Sequence, residues 1–335
     1  MSWADSRVRS AHTRIATPRS CASMTREGED RVAAMHDPSV PATSGRGREI
    51  ALLTNPTSGS GKGARYRDAA LHRLRDSGFV VRNLQGRDAD EAADLASGCV
   101  ADGVEALVVC GGDGMVHLAI QALAGTGVPL GLIPAGTGND VGRYLDLPRR
   151  DPVAAADRIV ASQRRTIDLA RCGDRYFLTV MAAGFDAIVN ERANAMSWPR
   201  GQMRYNLATL AELRTFRPIP YTLQLDGETL QTQAMLVAVG NGPSFGGGPR
   251  LTEGALRDDG MLDVGVITEM SKSKLVRSYP RLFNGSIDGV AEYVHRRVRS
   301  VTIAASGIVT YADGERFGPL PLTIDCAPGA LEVLS

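Results

Sequence analysis

Three glycine clusters, each placed directly after a short apolar run and before a helical pattern, constrain this chain more than any other feature. They are Asn55-Pro56-Thr57-Ser58-Gly59-Ser60-Gly61-Lys62-Gly63, then Gly111-Gly112-Asp113-Gly114, then Pro134-Ala135-Gly136-Thr137-Gly138-Asn139-Asp140. A segment that repeats strand, small-residue turn and helix reads as a parallel sheet with helices wound on both faces. Strands are expected at 50–54, 79–84, 106–110 and 130–133, and helices at 65–76, 89–99, 115–124 and 151–162. Asp151-Pro152 is a good start for the last of these, since proline is favoured in the first helical turn.

Beyond Thr166 the texture changes. Alternating runs at 167–171, 176–181, 221–225, 231–239, 262–267, 298–304, 308–312 and 320–326 outnumber the helices expected at 186–195, 203–214 and 271–284. Many strands with few crossovers imply an antiparallel, β-sandwich-like domain. The expected fold is therefore α/β, an N-terminal doubly wound parallel-sheet domain (49–165) followed by a mainly antiparallel domain (166–335), with the active site in the cleft between them. A length of 335 residues suits two cores better than one.

Residues 1–48 are rich in Ser, Thr, Pro and Arg without a hydrophobic period, and read as a disordered basic extension, eight Arg against five Asp and Glu. Across the whole chain the net charge is only +1, which argues against a dedicated nucleic-acid binder. The five cysteines are scattered, without metal-ligand spacing, and fit small buried residues of a reducing compartment. No apolar run reaches the length of a membrane span and no signal-peptide core is evident, so the expected location is cytoplasmic with peripheral membrane contact.

Small residues before a helix can cradle an anion with backbone N–H groups. The first cluster is no Walker A loop, because Pro56 stands in place of the first Gly and Gly63 in place of the magnesium-binding Ser or Thr. A plain turn there, and simple helix capping by Asp113, are the alternative readings. None of the clusters fits G-x-G-x-x-G, which removes the main support for a dinucleotide dehydrogenase. Three glycine loops in successive βα turns, two of them carrying Asp, point instead to a polyphosphate and a divalent cation along one sheet edge.

The order and spacing of these motifs resemble the catalytic domain of bacterial diacylglycerol kinases and their sphingosine kinase relatives. To the three clusters are added Arg143 and Leu147-Pro148, then Ala183-Gly184-Phe185-Asp186, Gly240-Asn241-Gly242 with Gly246-Gly247-Gly248, Asp258-Asp259-Gly260-Met261-Leu262-Asp263 and Asp313-Gly314-Glu315. The resemblance implies an ATP- and Mg2+-dependent lipid kinase. Its nucleotide cleft would use Asn55, Thr57, Gly112, Asp113, Gly114, Gly136, Thr137, Gly138 and Asn139. Asp113 and Asp140 would organise catalytic magnesium, Asp313 would be the general base with Glu315 nearby, and Asp259 as side-chain ligand with the carbonyls of Leu256 and Met261 would form a structural magnesium loop. A simple turn is the other reading of that loop.

One departure stands out: Met115 occupies a position where the family pattern favours Thr. The partners expected are ATP and a lipid at a membrane surface, with no nucleic acid, and a homodimer is compatible. The rival readings are an NAD kinase-like enzyme acting on a soluble substrate and a non-catalytic nucleotide or lipid regulator. Acyl pockets are built from interchangeable apolar residues, so the lipid itself is not legible. A basic stretch at His295, Arg296, Arg297 and Arg299 is the sequence's candidate for contact with headgroups.

Overall fold

The computed structural model describes residues 48–196, 198, 207–208, 211–212, 216–244 and 249–335. Except for Arg48, the N-terminal extension lies outside them, as do Gly246, Gly247, Gly248 and most of the helix expected at 203–214. Residues from Gly47 to Ser335 form one compact unit.

The parallel half contains β1 (Glu49–Thr54), β2 (Val80–Leu84), β3 (Leu107–Gly111) and β4 (Leu130–Pro134), in the order β4-β3-β1-β2. Period-two alternation sends their side chains to two cores. Ala51 and Leu53 pack with α2 (Ala89–Ala101) and α3 (Asp113–Leu123), while Ile50 and Leu52 pack with α1 (Ser58–Asp76) and α5 (Pro152–Ala161). β1, β3 and β4 are apolar on both faces because both are covered, whereas β2 at the edge carries Arg82 and Asn83 and leaves Val80 exposed. Their carboxyl ends, Thr54, Gly111 and Pro134, deliver the three glycine clusters to one edge, where ligands of open α/β sheets bind.

The second half contains β5 (Arg164–Cys172), β6 (Arg175–Phe177), β7 (Val180–Gly184), β8 (Ile219–Leu225), β9 (Glu228–Gly240), β10 (Leu262–Thr268), β11 (Tyr293–Val298), β12 (Ser300–Ala304), β13 (Val309–Ala312), β14 (Glu315–Pro319) and β15 (Leu322–Leu334). Their pairings are antiparallel, with α6 (Phe185–Ala195) and α7 (Lys272–Asn284) against the face that carries Val180, Leu236 and Ile267. The two halves share a sheet. β15 runs antiparallel to β5 and β12, and its far end meets β4 in parallel through Val333 and Leu130. Leu331 and Val333 thus enter the N-terminal core.

Several expectations needed adjustment. The single strand expected at 176–181 is two, β6 and β7, because Leu178 and Thr179 give their N–H groups to Asp313. The run expected at 298–304 is the end of β11 followed by β12, broken where the Arg299 and Ser300 N–H groups turn to Asp226. Helix α1 reaches back to Ser58, although Gly59 and Gly61 have φ of 59° and 92°, so its first turn is irregular.

Candidate functional site

The glycine clusters meet backbone to backbone. A Cβ on Gly136 would stand 2.5 Å from the Gly112 Cα, and one on Gly59, whose φ is positive, would overlap the Ala135 carbonyl. Any side chain at Gly136 would push the second and third loops apart, so glycine is a packing requirement there. Asn139, at φ 51°, closes the third loop on itself: its Oδ1 accepts from Gly136 N (2.9 Å) and its Nδ2 donates to Gly136 O (3.0 Å). Asn55 shapes the first loop, its Oδ1 accepting from Thr57 N at 3.0 Å and from the Thr57 hydroxyl at 2.7 Å. Thr137 is exposed at the tip. Met115 folds under Gly111, where the Ser58 hydroxyl also approaches.

Asp113 is the first residue of α3, and its Oδ1 accepts from Val141 N at 3.0 Å at the start of α4 (Asp140–Tyr144). Both Asp113 Oδ2 and Asp140 Oδ2 face Gly138, 3.0 and 3.8 Å from where its Cβ would be. Burial pushes the Asp113 carboxyl up to about 6, and the neighbouring Asp140 and Asp313 charges add to the rise. Arg143, one turn along α4, pairs with Asp140.

Across from these residues the β13–β14 turn brings in Asp313 and Glu315. Asp313 is buried in a left-handed conformation at φ 51°. Its Oδ1 accepts from Thr179 N (2.7 Å) and the Thr179 hydroxyl (2.7 Å), and its Oδ2 accepts from Leu178 N (2.9 Å) and lies 3.1 Å from His117 Nδ1. A carboxylate has about four lone-pair positions, so Asp313 is saturated. Burial would raise its pKa, but His117, Thr179 and Leu178 outweigh it and hold the carboxyl below its ordinary value. Glu315 differs. Its Oε1 lies over the first turn of α3, 2.7 Å from where a Gly114 Cβ would be, and its carboxylate has no hydrogen-bond partner among the described residues. Burial raises its pKa, opposed by His117.

The structure therefore gathers Asp113, Asp140, Asp313, Glu315 and the glycine loops at one place. It also adds residues that sequence reasoning passed over. His117 lies one helical turn after Asp113, and that i+4 spacing was the available signal. Thr179 is reached only through the fold, and so is the role of Asn241, which in sequence is only part of a motif: Asn241 N donates to Thr179 O, its Nδ2 to Asp168 O and Leu178 O, and its own carbonyl accepts from Tyr144 Oη at 2.8 Å.

Leu256, Asp259 and Met261 form a different cluster. Leu256 is exposed, Asp259 Oδ1 accepts from Met261 N at 3.0 Å, and Asp259 Oδ2 is paired with Arg297. Asp168 pins the loop through Gly260 N and Gly329 N, both at 2.7 Å. Asp259 would have to release Arg297 before its carboxylate could take a cation, so this loop as arranged does not fit a metal. Asp113 fits better, its Oδ2 facing Gly138, and Asp140 could join it only by loosening its pair with Arg143; magnesium usually takes one or two carboxylates together with substrate phosphates. Among the described residues no group of three or more His, Cys, Asp or Glu side chains is placed to hold an ion alone.

Known proteins match this arrangement. Residues 49–172 match the family model described as the diacylglycerol kinase catalytic domain, and residues 179–335 match the YegS C-terminal NAD kinase beta sandwich-like domain. A protein from Mycobacterium tuberculosis named diacylglycerol kinase is 44% identical over 292 residues, covering 85% of this chain and 94% of that one. The chain belongs to the diacylglycerol kinase family. Further members include a Bacillus subtilis diacylglycerol kinase, 25% identical with 81% and 90% coverage. A solved diacylglycerol kinase structure from Bacillus anthracis superposes with a TM-score of 0.68 at 23% identity, covering 86% of this chain and 97% of its own. Membership in this family makes the chain a kinase, with a parallel-sheet N-terminal part and an antiparallel, sandwich-like C-terminal part.

Proposed function

We propose that this kinase transfers the γ-phosphoryl group of ATP to a lipid hydroxyl, with diacylglycerol the first acceptor to test because relatives bear that name. The observation that carries this reading is the meeting of two unlike carboxylate pairs. Asp113 and Asp140 sit among glycine loops at the ends of parallel strands, and Asp313 and Glu315 arrive from the antiparallel half. Phosphoryl transfer asks a protein chiefly for position and charge neutralisation, and this set supplies both.

On the nucleotide side, backbone approach at Gly112, Gly114 and Gly136, with Asn55, Thr57, Thr137, Gly138 and Asn139 shaping the loop walls, suits phosphate oxygens. Bound with the nucleotide, Mg2+ would neutralise phosphate charge, and Asp113 and Asp140 are the residues to hold it. On the acceptor side the hydroxyl oxygen attacks the γ-phosphorus, the bond from γ-phosphorus to the β–γ bridging oxygen breaks, ADP leaves, and the hydroxyl proton passes to a carboxylate. Asp313 has no lone pair to spare in this geometry, so Glu315 takes the proton and Asp313 fixes the turn that presents it. A general base of this kind contributes about 10²–10⁴-fold in rate.

The test is ADP formation by the purified chain over a panel of diacylglycerol, a sphingoid base, phosphatidylglycerol, an isoprenoid alcohol and NAD. Stimulation by one of the lipids supports the reading. Stimulation by NAD alone replaces it with a soluble-substrate kinase.

A further inference from the structure

On α3, His117 lies one helical turn beyond Asp113 and Gly114, on the face that strand β14 covers. Glu315 and Phe317 of β14, two positions apart and so on one side of the strand, meet that face together. Glu315 Oε1 stands 2.7 Å from where a Gly114 Cβ would be, and the Phe317 and His117 rings meet edge to face at 6.4 Å. The imidazole is thus neighbour to both carboxylates of the β13–β14 turn, with 11% of its side chain reaching solvent.

Hydrogen bonding decides which ring nitrogen is open. Thr179 N, the Thr179 hydroxyl and Leu178 N all donate to Asp313, and an ionised carboxylate only accepts. His117 Nδ1 must therefore carry the hydrogen of the 3.1 Å bond to Asp313 Oδ2. In the neutral ring Nε2 is then left as the basic nitrogen, and it has no hydrogen-bond partner among the described residues.

We infer that His117 is a proton relay, taking at Nε2 the proton that Glu315 receives from the acceptor hydroxyl while Asp313 holds the ring through Nδ1. The inference rests on the reading of Glu315 as first acceptor. In this step the Glu315 O–H bond breaks, its electron pair stays on the carboxylate, and an N–H bond forms at Nε2. The imidazolium then gives that proton to water, so each phosphoryl transfer releases one proton and restores both groups. A half-buried carboxylic acid must shed its proton before the next turnover, and Nε2 is the open acceptor that the fold sets beside it. The titratable and charged groups around the ring are Asp313 and Glu315 from the turn, Asp113 from α3 itself, Asp140 from α4, paired with Arg143, and Tyr176 and Arg175 from β6, with the Arg175 guanidinium 4.0 Å from the Phe317 ring. α2, β3 and β4 meet α3 with apolar side chains and the Cys99 thiol.

Two variants separate relay from positioning. Asparagine at 117 brings its Nδ2 to the place of the imidazole Nδ1, so it keeps the donor to Asp313 and lacks the base. The kinetics are followed as ADP formation with whichever acceptor, lipid or soluble, stimulates the wild type most. His117→Asn should melt like wild type, leave KM for ATP nearly unchanged and lower kcat about 10²-fold, the low end of what an acid–base group contributes. His117→Ala loses the bond to Asp313 as well and should melt lower. In the acid limb of the pH–rate profile the wild-type kcat should fall as the square of the proton concentration, because Glu315 must be ionised and His117 neutral, whereas His117→Asn should fall in direct proportion to it. Without any substrate, nitrogen-15 spectra of the histidine-labelled full chain at pH 8 should show, for the signal lost in His117→Asn, a hydrogen on Nδ1 and none on Nε2. Wild-type kcat in His117→Asn, an acid limb of unchanged order, or a hydrogen on Nε2 would each overturn the inference. A panel in which no lipid is phosphorylated counts against the lipid acceptor alone, since a soluble acceptor serves the kinetics equally and the spectrum needs none.

Discussion

Replacing Asp113 with Asn should make the protein more stable at pH 8 while abolishing phosphoryl transfer. The carboxyl is pushed up from 3.8 to about 6, first by burial and then by the nearby Asp140 and Asp313 charges. A folded-state value above the unfolded one means that the ionised group costs stability, a cost absent below about pH 4 and complete above about pH 6. The full difference corresponds to about 3 kcal/mol at roughly 1.4 kcal/mol per pH unit. Partial solvent access at Asp113 reduces that to about 1–2 kcal/mol. Asparagine keeps the oxygen that accepts from Val141 N and removes the charge. In urea titrations of the nucleotide-free protein, Asp113→Asn should gain that 1–2 kcal/mol at pH 8, a rise of about 2–6 °C in melting temperature, and nothing at pH 4. Stability spent at a reactive carboxylate is the expected trade between activity and folding. A variant that is less stable at pH 8, or whose gain does not depend on pH, would refute the reasoning.

Asp313→Asn should do the opposite. An amide nitrogen would face donors where an oxygen now accepts, costing about 2–4 kcal/mol in chemical denaturation. Because the folded Asp313 carboxyl sits below its ordinary value, wild-type stability should fall as acid reaches that lowered value. Glu315→Gln should raise the melting temperature modestly at neutral pH, since it removes a charge that burial disfavours, leave ATP affinity nearly unchanged and lower turnover about 10²–10⁴-fold. The acid limb of the wild-type pH–rate profile should lie above the ordinary carboxylate range, since Glu315 must be ionised to accept a proton and its pKa is raised. Gly136→Ala should separate the second and third loops and abolish nucleotide binding in calorimetry. Arg297→Met frees Asp259; if the guanidinium stands in for a cation, the variant alone should gain thermal stability on adding Mg2+.

The sheet was legible because β1, β3 and β4 are largely apolar and each runs into a glycine cluster. Leu107 to Cys110 and Leu130 to Ile133 are buried throughout, and such runs in alternation with helices admit few other folds. The second half was legible as antiparallel strands but not in its breaks. Nothing local at Leu178 and Thr179 signals that their N–H groups bond a carboxylate more than 130 positions away. β14 was not among the expected strands because Glu315, Arg316 and Gly318-Pro319 show no apolar alternation, and only pairing with β13 makes them a strand. In the site, Asp113 and Asp313 were visible by motif. The difference between Asp313 and Glu315 was not, because it depends on which carboxylate the fold saturates. His117 bridges the two halves through a side chain that, in sequence, reads as an ordinary helical residue. The basic stretch at 295–299 is largely engaged within the fold: His295 bonds Asp263 and Arg297 pairs with Asp259.

The central claim is that the phosphoryl group leaves ATP for a lipid hydroxyl. It is tested most directly by incubating the purified chain with γ-labelled ATP, Mg2+ and diacylglycerol and following the label. The account predicts label in the organic phase with wild type, none with Asp113→Asn, and a trace with Glu315→Gln. Label confined to the aqueous phase with every lipid, or undiminished transfer by Asp113→Asn, would contradict it.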